Sequence, residues 1–115
     1  MAESECLFCR MASGAMDVPK VAENETAFAI RDINPRAPVH TLVIPREHVA
    51  TAADLNPGHG PLLAGLFTLA AEVAGIEGVR GSGYRLAFNV GDAAGMTISH
   101  LHLHVVGGRR LGPEG

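Results

Sequence analysis

The 115-residue sequence predicts an α+β fold: a five-stranded antiparallel sheet with one main α-helix and a short N-terminal helix. Three observations carry this. β-capable runs and one long helical stretch follow one another as βββαββ, without the strand–helix alternation that builds parallel sheets. The long helix has its own start signal, Asn56-Pro57, a capping side chain followed by proline at the first helical position. The segment 99-SHLHLHVVGG-108 alternates strictly between histidine and aliphatic residues, the period of a strand.

The elements follow in order. Residues 7–12 allow one short helical turn. The stretch 19-PKVAENETAFAIRD-32 reads as a hairpin, two β-capable runs on either side of Asn24-Glu25. Two prolines and an Asn-Pro pair make 32-DINPRAP-38 a loop, and 39-VHTLVIP-45 is a third strand stopped by Pro45. The helix is expected to run from Asn56-Pro57 to about Gly75, where glycines begin. A fourth strand spans 83-GYRLAFNV-90, a Gly-rich loop 91-GDAAGMTIS-99, and the histidine segment is the fifth strand. With no repeats, low-complexity tracts or linkers, residues 1–115 are expected to form one domain.

Composition narrows the function classes. Apolar residues make up 47%, enough for a core without a disulfide network. Nine basic and twelve acidic residues, a net charge of −3, argue against a broad electrostatic grip on nucleic acid or an anionic membrane. The start, MAESECLFCR, lacks the basic region and apolar run of a signal peptide, and no apolar stretch is expected to span a bilayer, so the expected compartment is the cytoplasm. In a reducing compartment Cys6 and Cys9 read as half of a metal site or as free thiols rather than a disulfide. On the helix, Leu62, Leu63, Leu66, Phe67, Leu69, Val73 and Ile76 form an apolar face. The opposite face, Ala64, Gly65, Thr68, Ala71 and Gly75, is either a surface for a second subunit or an exposed Ala-rich side.

Same-side neighbours on a strand lie ~6.5–7 Å apart, so His100, His102 and His104 share a face while Leu101, Leu103 and Val105 enter the core. A chance histidine face is one reading. A catalytic zinc site is a second, since histidines two apart can share a metal. Nucleophilic catalysis is a third, with one imidazole attacking and its neighbours orienting it or handling protons. The preceding loop favours the third. Gly91 and Gly95 let backbone N–H groups turn inward, and Thr97 and Ser99 add hydroxyls, a combination suited to phosphate. Imidazole is a good phosphorus nucleophile because a useful fraction is uncharged at neutral pH.

The run His100-Leu101-His102-Leu103-His104-Val105-Val106 resembles the signature of the histidine-triad (HIT) superfamily. Gly107-Gly108-Arg109 is similar to its histidine-triad nucleotide-binding branch rather than to the diadenosine polyphosphate hydrolases. The resemblance extends over nearly the whole chain, through Cys6-Leu7-Phe8-Cys9 and 31-RDINPRAPVHTLVIPREH-48. It implies a purine nucleoside phosphoramidase, acting at the α-phosphorus through a nucleotidyl-histidine, and a homodimer. By that resemblance His102 is the nucleophile, His104 contacts phosphate and His100 supports the nucleophile. Asn89, Thr97 and the Gly95 loop fall at the phosphate or leaving group, and Asp32 at the ribose hydroxyls. Leu7, Phe8, Ile30, Ile33 and Leu42 match the wall around the base. Zinc-bearing relatives, including galactose-1-phosphate uridylyltransferases, imply a structural zinc held by Cys6, Cys9, His48 and His100, with no organic cofactor. His40 is expected in a proton network or buried and hydrogen-bonded, and His59 is expected to face solvent. Two departures from the pattern stand out: Met96 replaces a common glutamine, and 109-RRLGPEG-115 lacks a Trp-Pro-Pro ending.

Overall fold

The computed structural model describes residues 5–114. Two helices and five strands form in the expected order: α1 (Leu7–Ser13), β1 (Ala22–Glu23), β2 (Ala27–Arg31), β3 (Val39–Pro45), α2 (Gly60–Ile76), β4 (Tyr84–Ala87) and β5 (Leu103–Gly107). All pairings are antiparallel, and the spatial order is β1-β2-β3-β5-β4. The last strand of the chain is thus inserted between the third and the fourth.

Local chemistry explains the turns. The Asn24 side chain accepts from the amides of Thr26 and Ala27 at 2.9 and 2.8 Å, closing the β1–β2 hairpin where the sequence puts it. Asn56 caps a short 3₁₀ turn, Pro57–His59, by accepting from the Gly58 amide, and α2 continues from it. His59 does not face solvent as expected. Its Nδ1 accepts from the Asn56 amide at 3.0 Å, and its Nε2 lies 3.7 Å from Glu47. The Pro57–Ile76 stretch is, contrary to expectation, long and apolar enough to cross a membrane by length and composition. Leu62, Leu66, Leu69 and Val73 are buried against the sheet, which makes it a core helix.

Alternation along the strands feeds two cores. Ala27, Ala29, Val43, Leu101, Leu103 and Val105 pack under α2. Phe28, Ile30, Leu42 and Ile44 point the other way and pack with Cys6, Phe8 and Met11 around α1. Burying each large aliphatic or aromatic side chain contributes roughly 1.5–3 kcal/mol, so the small helix α1 anchors firmly through Phe8 and Met11. The histidine face lies on the α1 side. It is not an open face: His100 and His104 are buried.

Three expected boundaries and faces shift. β5 begins at Leu103, and His100 to His102 form its irregular approach, tied down where the Leu101 amide donates to the Val49 carbonyl at 2.6 Å. β4 is shorter than the 83–90 run. On α2, Phe67 and Ile76 are exposed while Ala70 and Ala74 join the buried stripe, and Ala64, Thr68, Ala71 and Gly75 of the opposite face are exposed. Gly65 turns inward. A Cβ there would sit 2.6–2.7 Å from Thr26, and the Gly65 carbonyl accepts from Asn24 Nδ2 at 3.1 Å. Gly65→Leu should therefore destabilise the chain itself, by about 1–3 kcal/mol or more. Urea unfolding checks this, and Thr26→Gly in the same chain should restore part of the loss.

Candidate active site

The chemistry-bearing side chains converge from α1, β3, the turn after β3 and the β5 approach. Four of them form one cluster. Cys6 Sγ lies 3.3 Å from His100 Nδ1, Cys9 Sγ 3.2 Å from His48 Nδ1 and 3.5 Å from His100 Nδ1, and the two Nδ1 atoms are 3.1 Å apart. All four atoms lie within 4.8 Å of one another. A tetrahedral zinc with ordinary Zn–N and Zn–S bonds needs N···N edges of ~3.3 Å and N···S edges of ~3.6 Å. The cluster matches that size. His100 Nε2 lies 2.8 Å from the Pro45 carbonyl. A carbonyl only accepts, so Nε2 carries the hydrogen and Nδ1 presents its lone pair to the cluster. The donors fit a metal ion.

His102 is oriented by backbone rather than by the neighbouring ring. Its Nδ1 lies 2.7 Å from the His100 carbonyl, so Nδ1–H donates and Nε2 keeps the lone pair. Phe8 packs edge-on against the rings of His102 and His100, with centroids 5.4 and 5.7 Å away, and limits their rotation.

A second hydrogen-bonded chain sets His104. The Arg36 amide donates to His40 Nδ1 at 3.1 Å, so neutral His40 carries its hydrogen on Nε2. That nitrogen is 2.9 Å from His104 Nδ1, which accepts, so the hydrogen of neutral His104 lies on Nε2; Asn89 Nδ2, a donor as well, is 3.4 Å from that nitrogen and does not accept from it. Asp32 stands beside this pair. Its Oδ2 is 3.5 Å from His40 Nε2 and its Oδ1 accepts from the Asn34 amide at 2.8 Å, so it is both a turn residue and a site residue. Asp32, His40 and His104 form a second group of potential metal-ligating atoms.

Burial pushes His104 from 6.5 down to about 4, helped by the imidazoles of His102 and His40 and the Arg36 guanidinium and opposed by Asp32. Burial likewise lowers His40, with Asp32 acting against it. Both are neutral at pH 7, and His104 Nε2–H is an uncharged donor. The stability consequence has a definite sign. Between pH 6.5 and about 4 the unfolded chain holds a proton on His104 that the folded chain does not, so stability falls as pH is lowered through that window. The full loss for this one group is about 3 kcal/mol. Urea midpoints measured from pH 7.5 to 4 should drop more steeply for wild type than for His104→Gln.

A cavity of about 280 Å³ opens beside these histidines. It is lined by Leu7, Phe8, Ile30, Asp32, Ile33, Leu42, Gly95, Thr97, His102 and His104, all of them residues singled out in the sequence. Sequence reading missed Met11, Arg31, Asn34, Arg36 and Ile98, which also line it. Met11 and Ile98 carried no signal beyond being apolar, and the other three sit in or beside a segment legible only as a strand end and loop. Asn89 does not line this cavity but faces the opposite side of His104, and Met96 is half-buried and lines neither side. The Gly-rich loop also differs from expectation. Gly91 and Gly95 take positive φ of 85° and 86°, yet the amides of Ala94, Gly95 and Met96 are spent on Gly91 and Asp92 carbonyls within the loop. Its contribution to the cavity is Gly95, Thr97 and Ile98.

Fold and site together define a small antiparallel α+β protein that presents an oriented imidazole, a neutral imidazole donor and a carboxylate around one partly apolar cavity. Comparison with known proteins names the class. Residues 14–111 match the HIT domain model, and the chain belongs to the HIT domain family. It is 37% identical over 113 residues to the purine nucleoside phosphoramidase of Escherichia coli K12, covering 98% of this chain and 94% of that one. It is 43% identical over 108 residues to an uncharacterized HIT-like protein of Azospirillum brasilense, covering 93% and 88%. Among solved structures, a HIT family hydrolase from Legionella pneumophila superposes with a TM-score of 0.92 at 43% identity, covering 96% of this chain and all of that one.

Proposed function

We propose that the chain is a nucleotide hydrolase of the nucleoside phosphoramidase type, in the nucleotide-binding branch of the family. The observation that carries this is His102. Its Nδ1–H is committed to the His100 carbonyl, which leaves an Nε2 lone pair beside a cavity with a carboxylate and an apolar wall. Similarity to the Escherichia coli purine nucleoside phosphoramidase supports the substrate class.

In this reading the base packs among Leu7, Ile30, Ile33 and Leu42, and the Asp32 carboxylate accepts from the ribose hydroxyls. His104 Nε2–H and Thr97 hold phosphate oxygens. Nε2 of His102 attacks the α-phosphorus, the Nε2–P bond forms and the P–N bond breaks, and the departing nitrogen takes a proton from solvent. Positive charge develops on the His102 ring and is stabilised by the His100 carbonyl that accepts Nδ1–H. Water then attacks phosphorus, the Nε2–P bond breaks, the water gives up its proton to solvent, and nucleoside monophosphate and neutral His102 are regenerated. His100 is therefore a positioning residue through its backbone, with its ring turned to the cysteine cluster.

Cys6, Cys9, His48 and His100 would hold zinc. With four protein ligands it would have no open position and would act as a cross-link between α1 and the β5 approach. The chain works as a homodimer through α2 and the sheet edge. Phe67 and Ile76 are exposed, and Phe67 packs edge-on against Phe88 just after the edge strand β4, so the helix face and the sheet edge adjoin. Phe67→Glu should shift the sedimentation coefficient toward monomer at micromolar concentration. A wild-type monomer would remove this part of the proposal.

The test of the reaction is intact mass after brief mixing with adenosine 5′-phosphoramidate at low pH. A covalent nucleotidyl adduct is expected. Binding without adduct or turnover would make the chain a nucleotide-binding partner protein instead.

A further inference from the structure

On the same face of the sheet, beyond His104, lies a second cavity of about 360 Å³, bordered by Arg36, Arg85, Asn89, His104, Val106 and Arg109. It shares His104 and Arg36 with the first cavity but not His102. Along β5 and its approach, the same-face positions run His102, His104, Val106. Displacement at phosphorus places the attacking and leaving atoms roughly in line. With the nucleophile at His102 and phosphate at His104, the leaving group departs toward Val106, into the second cavity.

The charge of that cavity is opposite to that of the chain. The protein carries −3 overall, yet three guanidinium groups converge here. Backbone carbonyls hold two of them: Arg85 Nη2 donates to Gly112 at 2.7 Å, and Arg109 donates through Nη2 to Arg36 at 3.0 Å and through Nη1 to Arg110 at 3.0 Å. These bonds engage only part of each five-donor fork. The Arg36 guanidinium makes no hydrogen bond or ion pair among the described residues. The cavity's one carboxylate, Glu114, lies 3.8 Å from Arg85 on a side chain that is 84% exposed. A carboxylate therefore reaches Arg85 already, through a loose contact that an incoming anion displaces.

We propose that this second cavity binds an anion on the leaving group, so that the preferred phosphoramidates are those whose amine carries a carboxylate, as an amino acid does. The inference rests on the phosphoramidase reading above and deepens it. A carboxylate on Arg85 and Arg109 forms charge-assisted bonds that a neutral amide does not. It also speeds the encounter and fixes the departing nitrogen on the side away from His102.

The experiment compares adenosine 5′-phosphoramidates of glycine, glycinamide and aminomethylphosphonate. The glycine compound should exceed glycinamide in kcat/KM by about tenfold. Arg85→Met and Arg109→Met should each shrink that ratio severalfold, while Arg85→Lys, which keeps the charge, should retain most of it. A phosphonate better than glycine would keep the anion cavity and name phosphate as its ligand. Equal rates for glycine and glycinamide, or a ratio unmoved in the double Arg→Met variant, would overturn the proposal. Calorimetric binding of the three compounds to His102→Ala separates this from the reaction itself. If nothing is turned over, tighter binding of the two anionic compounds still supports the cavity assignment, and equal binding of all three rejects it.

Discussion

Replacing His102 by alanine is expected to abolish turnover of nucleoside phosphoramidates, by on the order of a thousandfold or more, while nucleoside monophosphate still binds. The size follows from what the side chain alone supplies. His102 Nε2 is the nitrogen whose lone pair is freed by the bond from Nδ1 to the His100 carbonyl. Its ring neighbours are committed elsewhere: His100 Nδ1 faces Cys6 and Cys9, and His104 Nδ1 accepts from His40. Neither is placed to substitute. Binding should survive because Asp32, Thr97 and the apolar wall are untouched. Steady-state rates, adduct mass and calorimetry on the same variant check the three parts. A variant turning over near the wild-type rate would make the nucleophile assignment wrong.

The second large effect concerns the cysteine–histidine cluster. Protein purified without chelator should contain about one zinc per chain. Cys9→Ser should lose it and lower the unfolding free energy by several kcal/mol, because metal affinity is folding free energy for the ligands it organises. The damage should reach the reaction, since His100 is both a member of the cluster and the carbonyl that orients His102. Metal analysis, urea unfolding and turnover report on these separately. Metal-free wild-type protein with unchanged melting behaviour would leave Cys6 and Cys9 as plain thiols.

Much of this site is legible in the sequence because it is built on period-two alternation and short motifs. His102 and His104, which their spacing puts on one face, line a cavity with Asp32, Leu7, Phe8, Ile30, Ile33 and Leu42, which only the family resemblance brought into the reading. Cys6 and Cys9 sit one helical turn apart, so that α1 brings both to the cluster. The misses have a common cause. His59, Gly65 and Phe67 look ordinary by composition, and their roles depend on which neighbour α2 meets. Gly65 lies against the hairpin residue Thr26, Phe67 reaches Phe88, and His59 is drawn back to the Asn56 amide and toward Glu47.

The sequence by itself determined the α+β class, the order of the elements, the hairpin turn at Asn24, the start of the helix and the histidine alternation. These are local properties, set by turn chemistry, capping and the period of apolar residues. Only the tertiary structure decided that β5 lies between β3 and β4, which puts His104 against His40 from β3 and Asn89 from the segment just after β4. Only it decided which nitrogen of each imidazole carries the hydrogen, because that is dictated by carbonyls and amides distant in sequence or by the local path of the backbone. The gathering of Arg36, Arg85 and Arg109 around one cavity is of the same kind. Charges from three separate segments meet there because strand register and the path of the C-terminal segment bring them together, and no local pattern encodes register.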